Sequence, residues 1–213
     1  MPLTPTEHDI LHATAAIVVD DGPDALSYAR IAQHLGLTVE QVMAVYPVFE
    51  VLLGAFLTQE VNNLGRIIAE NVDRDPRGGL PSRIFGYALS AIYEHPVARA
   101  MYLGDPAGLA RIVRAVDGLA PVTDLTIHPE LLPSLQQVGM VRLDVDTHVV
   151  AAVISVIGSG VAMSAPGQHL DDVAAGLASL LERGVDADVT DTTPGKLVFA
   201  QYAATLAVGA PRG

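Results

Sequence analysis

The sequence predicts an all-α protein with a small three-helix head, residues 1–48, and a larger helical body, residues 49–213. Three observations lead there. In residues 26–56, LSYARIAQHLGLTVEQVMAVYPVFEVLLGAF, two short apolar periods meet at Gly36, the spacing of a helix-turn-helix. After Glu50, apolar residues recur every three or four positions in long stretches divided by Pro and Gly clusters. Near the C-terminal end, an uncharged run over 149–168 is followed at once by an amphipathic stretch over 170–184.

In the head, Ile10, Leu11, Thr14, Ala15 and Val18 share one face of a first helix that the DDGPD segment ends. Ser27 is placed to cap the second helix, whose Ile31, Ala32 and Leu35 face one way, and Gly36 supplies the turn. Thr38 with Gln41 three residues on reads as a capping box for the third helix. Val42 and Val45 point back to the core and Pro47 stops the helix.

The body begins with a long amphipathic helix from Glu50 to about Val72, bearing Leu53, Phe56, Leu57, Val61, Leu64, Ile67 and Ile68 on its apolar side. DRDPRGG, residues 73–79, reads as a loop, and residues 81–95 as a second helix that Pro96 ends. Short helices follow over 97–103 and 107–119, and the proline-rich stretch 120–133 reads as a loop. The run 149–168, broken by Pro166-Gly167 after about 17 apolar residues, is at the lower limit for a membrane span. With a capped amphipathic partner directly behind it, it reads instead as a dimer core, so helices over 145–165 and 170–184 are expected to form a homodimer interface and no membrane contact is expected. DADVTDTTPG, residues 186–195, reads as a flexible acidic connector to a last helix over 195–208, which packs on its own body or on the partner subunit.

Composition restricts function. Cysteine is absent, which removes disulfides, thiolate nucleophiles and cysteine-type zinc sites, and the N-terminus lacks the pattern of a signal peptide, so a cytoplasmic setting is expected. Twelve basic residues stand against twenty-four acidic ones, a net charge of −12, and Lys196 is the one lysine. Through residue 60 the single cation is Arg30, against Glu7, Asp9, Asp20, Asp21, Asp24, Glu40, Glu50 and Glu60; one against eight leaves −7. Affinity for DNA comes largely from Lys and Arg displacing counterions at phosphates, so this charge opposes DNA binding.

The head resembles the N-terminal domain of TetR-family transcriptional regulators. The resemblance is carried by Ile10, Ala15, Ala16, Gly22, Ile31-Ala32, Gly36-Leu37-Thr38, Tyr46-Pro47, Glu50 and Leu52-Leu53. It implies a TetR-like fold with a ligand-binding and dimerisation body, whose ligand changes the spacing of two heads through the helix after Glu50. It also implies that Thr38, Val39, Glu40, Gln41 and Ala44 face the major groove, Gln41 pairing with adenine and Thr38 reaching a phosphate, with Arg30 and Tyr46 as further DNA-contact candidates. The sequence departs from the family at three places: members usually carry tyrosine at the position of Met43, histidine or tyrosine at Val45, and lysine at Phe49. Beyond Val72 the resemblance is one of helix order and of the pair over 145–165 and 170–184.

No catalytic or nucleotide-binding signature is present. Gly158-Ser159-Gly160 lacks the G-x-S-x-G spacing, and Gly195-Lys196 lacks the glycine and hydroxyl residue of a phosphate loop. His8 and His12 share a helix face, but no third ligand accompanies them, so neither metal nor cofactor is expected. Tyr87, Tyr93, His95, Arg99, Tyr102, Arg111, His128, Gln137 and His148 are polar side chains on otherwise apolar helices, with Met101, Met140 and Met163 as adaptable neighbours. Of these, Tyr87, His95, Arg99, Tyr102, Arg111, His148 and Met163 are the candidates to hold a small hydrophobic or amphiphilic ligand, the pair His95 and Arg99 foremost.

Three functions compete on these residues. One is a ligand-responsive TetR-like regulator, which the resemblance favours. Another is a TetR-shaped protein that no longer binds DNA and works by binding a small molecule or a protein partner, which the charge favours. The third is an enzyme using the body cavity, with His95, Tyr102 or His148 as acid or base.

Overall fold

A computed structural model describes residues 6–105, 107, 108, 111, 112, 116, 130–163 and 170–208. Among them it contains α-helices and short helical turns, and no strand. The helices are α1 (Glu7–Asp21), α2 (Tyr28–Leu35), α3 (Val39–Val45), α4 (Phe49–Arg74), α5 (Pro81–Glu94), α6 (Pro96–Arg99), α7 (Leu131–Gln137), α8 (Thr147–Met163), α9 (Leu170–Gly184) and α10 (Thr193–Val208). The chain divides into two compact units, one of residues 1–60, 95–123 and 210–213, the other of residues 61–94 and 124–209. The expected boundary at 48/49 falls at the start of α4, whereas the first unit also takes in the first three turns of that helix and the α6 region.

Local codes set the first unit. Thr6 caps α1 in a box with Asp9, and Ser27 accepts from the Arg30 amide at 3.2 Å to start α2. Gly36 ends α2 at φ 65°, a left-handed conformation that costs a residue with a Cβ and suits glycine. The Thr38–Gln41 box then opens α3: the Gln41 side chain accepts from the Thr38 amide at 2.9 Å, and the Thr38 hydroxyl accepts from the Gln41 amide at 3.4 Å. Ile10, Ile17, Ile31, Val42, Leu52 and Phe56 are fully or almost fully buried where α1 to α4 meet, and Val97 and Met101 from the α6 region join them. The expected helix over 97–103 is α6 continued by a π-turn over Ala100–Gly104.

The second unit packs α9 against α5 and α7 against α8 and α10. Its core holds Val72, Leu80, Ile84, Leu132, Leu135, Met140, Ile154, Leu177, Leu181 and Phe199. On α8, Ile154 is buried while Val149, Val153 and Val156 are 58%, 52% and 72% exposed, so the helix has one face in the core and one open. Among the described residues no single helix is long and apolar enough to cross a membrane.

Two expectations are corrected here. The loop expected over 120–133 ends early, because α7 starts at Leu131 with Pro133 inside its first turn. A proline is tolerated there, since the amides of a helix's first turn have no intrahelical acceptor. Residues 121–129 and most of the expected helix over 107–119 lie outside the described residues.

The connector over 186–195, expected to be flexible, is tied at both ends and between. Asp186 is buried and its carboxylate accepts from the Ser82 amide at 3.0 Å and the Ser82 hydroxyl at 2.5 Å, while the Ala187 amide reaches the Met140 carbonyl at 3.0 Å. Thr192 is buried and donates to the Pro76 carbonyl at 2.8 Å. Gly79 and Gly195 meet backbone to backbone, so closely that a Cβ at Gly195 would fall 2.1 Å from the Gly79 carbonyl oxygen.

Candidate nucleic-acid interface

The surface that would face a groove of DNA is made by α2, α3 and the turn into α4, and its side chains are largely committed elsewhere. Arg30, the one cation in the first sixty residues, wraps the carboxylate of Asp21, with Nε at 3.0 Å and a terminal nitrogen at 2.5 Å, and donates its other terminal nitrogen to Gln33 at 3.1 Å. A guanidinium so placed is neutralised by a neighbour at the same distance a phosphate would take. An exposed pair of this kind adds little to stability; its consequence is electrostatic.

Thr38 is exposed and Gln41 half-buried, and the capping box uses the side chains of both, so the groups expected to read a phosphate and an adenine are already holding the helix. Val39 is half-buried and packs on the head core. Tyr46, expected at the DNA face, is 6% exposed and lies in that core, its carbonyl accepting from the Tyr28 hydroxyl at 2.7 Å. Tyr28 meets Phe49 edge to face at 5.0 Å, so the residue at the family's lysine position is an aromatic that pins α4 to α2. Glu40 is exposed, and a hydrogen bond from its own backbone, then one from Thr38, holds its carboxyl below the usual carboxylate range. It is therefore ionised at neutral pH.

Several other cations are matched in the same way. Arg111 pairs with Asp24 and, at 3.6 Å, with Asp105. In the second unit Arg74 lies 3.3 Å from Glu70 and Arg77 3.3 Å from Glu182.

The ligand candidates divide between the units. In the first, Arg99 and Arg111 are exposed, and His95 is partly buried with Nδ1 3.7 Å from the Glu60 carboxylate, itself 6% exposed. Glu60 was not among the sequence candidates; a carboxylate one turn from Phe56 and Leu57 and one turn before Leu64, on the apolar side of α4, is the signal that marks it. In the second unit Tyr87 donates to Asp75 at 2.9 Å, and burial, then this bond, pushes its hydroxyl above the usual range. His148 is exposed, with its amide on Asp146 at 3.0 Å. The side chains of Tyr102 and Met163, and all of His128, lie outside the described residues. His8 and His12 stand with ring centroids 6.4 Å apart on the exposed side of α1.

No protein-family model and no curated protein matches this sequence. Solved structures do match in shape. The fatty acid degradation regulator FadR from Bacillus halodurans aligns with TM-score 0.60 at 12% identity, over 85% of this chain and 96% of that one. A transcriptional regulator from Rhodococcus sp. Rha1 aligns with TM-score 0.58 at 16% identity, over 87% and 100%. The TetR family protein CprB from S. coelicolor A3(2) aligns with TM-score 0.54 at 20% identity, over 97% and 98%. The chain thus has an all-α, TetR-like fold.

Proposed function

We propose that this protein is a TetR-like transcriptional regulator that acts as a cytoplasmic homodimer and responds to a small hydrophobic or amphiphilic ligand. The observation that carries the reading is the head: both caps and the left-handed Gly36 hold a complete helix-turn-helix, α2 to α3, on an all-helical chain of the regulator fold. Residues 1–48 serve as the head and 49–213 as the ligand-binding and dimerisation part. The homodimer forms through α8 and α9, supported by Val149, Val153 and Val156 recurring at helical spacing on an open face, with Leu180 on α9 also 68% exposed. His95, a turn before Arg99 and facing Glu60, is the anchor proposed for a carbonyl-bearing or anionic ligand.

Deleting the gene should alter transcript levels of adjacent genes by severalfold, and supplying the protein should restore them. Transcript levels that do not respond would contradict a regulatory role.

A second reading is favoured by one specific observation. With Arg30 closed on Asp21 and the first sixty residues at −7, the head lacks a cation to offer a phosphate, which supports a TetR-shaped protein that works through a partner without an operator of its own.

A further inference from the structure

The outer side of the corner between α3 and α4 is apolar, and a head that reads phosphates has no use for that. The two helices meet at 66°. On their outward sides Met43, Val48 and Val51 are 40%, 50% and 56% exposed, with Ala44 and Pro47 also in solvent between them. The side chains that turn inward from the same segments, Val42 and Leu52, are completely buried, so the exposure belongs to one side and is not a sign of a loose helix. Apolar surface gathered like this gains free energy on being covered, and its commonest cover is another protein.

Charge selects among occupants. Glu40 lies one turn before Met43 and Ala44, and Glu50 precedes Val51; both are exposed. Duplex DNA brings a phosphate charge into this field and is repelled. A second copy of the chain brings a net −12 and the same glutamates. What fits is an apolar stripe bordered by Lys and Arg, which matches the valines and methionine and pairs with the acids at the border.

We propose that the α3–α4 corner docks a cationic amphipathic helix of a partner protein, with Met43, Val48 and Val51 covering its apolar stripe and Glu40 and Glu50 facing its basic border. The inference rests on the second reading above, of a head that has given up the operator, and it names the chemistry of the partner.

The test is calorimetric titration of the full chain with two synthetic peptides of one composition. One segregates leucines and lysines onto opposite faces of a helix; the other scrambles them so that no apolar face forms. The segregated peptide should bind about tenfold or more tightly than the scrambled one. The double variant Met43→Ser/Val51→Ser should lose that preference while still unfolding in one cooperative transition, because both side chains lie outside the buried core. Glu40→Gln/Glu50→Gln should weaken binding and flatten its salt dependence. Equal binding of the two peptides, or a preference that survives Met43→Ser/Val51→Ser, overturns the proposal and leaves the second reading in place. Saturable binding of duplex DNA from beside the gene that Met43→Ser/Val51→Ser abolishes overturns both, since the corner would then be an operator-reading surface.

Discussion

Asp186 is a carboxylate taken out of water to serve the first turn of α5, where helix amides lack acceptors of their own. Its position explains why no sequence pattern marks it: its partner Ser82 lies 104 residues away, and its own neighbourhood, DADVTD, has the composition of a solvated linker. Asp186→Ala should cost about 1–3 kcal/mol in urea denaturation, because the Ser82 amide and hydroxyl lose their acceptor in a buried place. Burial, the largest influence, raises the carboxyl above its ordinary value near 3.8 against the lowering effect of the Ser82 bonds. The folded state therefore binds a proton more readily than the unfolded one, and the stability from that proton is full below the ordinary value and lost as pH rises through the folded one. Relative to Asp186→Asn, which does not titrate, the wild type should lose stability as pH rises above the ordinary carboxyl value and through the raised folded one. A stability difference that stays constant with pH would refute this. Tyr46 teaches the same lesson from the other side: its place in the motif was legible, but whether its ring faced DNA or the core depended on α1 and α4 closing over it.

The elements of the head were legible because their signals are local. Ser27, Gly36, and Thr38 with Gln41 act within four residues of themselves, and each caps or turns the chain where its type and spacing indicate. Thr38→Ala should destabilise the head by about 0.5–2 kcal/mol through loss of its cap, and Gly36→Ala by about 1 kcal/mol through the left-handed backbone alone, since a Cβ there meets no atom within 4 Å. Hydrogen exchange of the α2 and α3 amides measures both; unchanged protection in either variant would contradict the capping account. Elements whose signal is not local were misread. Pro133 looks like a breaker until it is placed in a first turn, and the connector looks mobile until Gly195 is seen against Gly79.

At the scale of the whole molecule, charge and exposed apolar surface decide function, and the sequence revealed the first more fully than the second. The −12 charge and the lone Arg30 of the head could be counted directly, while the Arg30–Asp21 and Arg111–Asp24 pairs, which commit both of those arginines to acids, required coordinates. The uncharged run over 149–168 led to the expectation of an interface helix, and the exposed valines of α8 are the face proposed for it. In a two-fold dimer each substitution appears twice at the interface. Val153→Asp/Val156→Asp should therefore shift the protein to monomer in sedimentation velocity at micromolar concentration; a variant that remains dimeric would place the interface elsewhere.

The head pairs a helix-turn-helix shape with an acidic surface that repels a polyanion. Titrating the full protein with DNA flanking its gene, across a series of salt concentrations, tests that directly. The expected result is no saturable binding even at low salt. Saturable binding that weakens steeply as salt rises, and that Arg30→Ala abolishes, would show Arg30 leaving Asp21 to clamp a phosphate and would contradict the account.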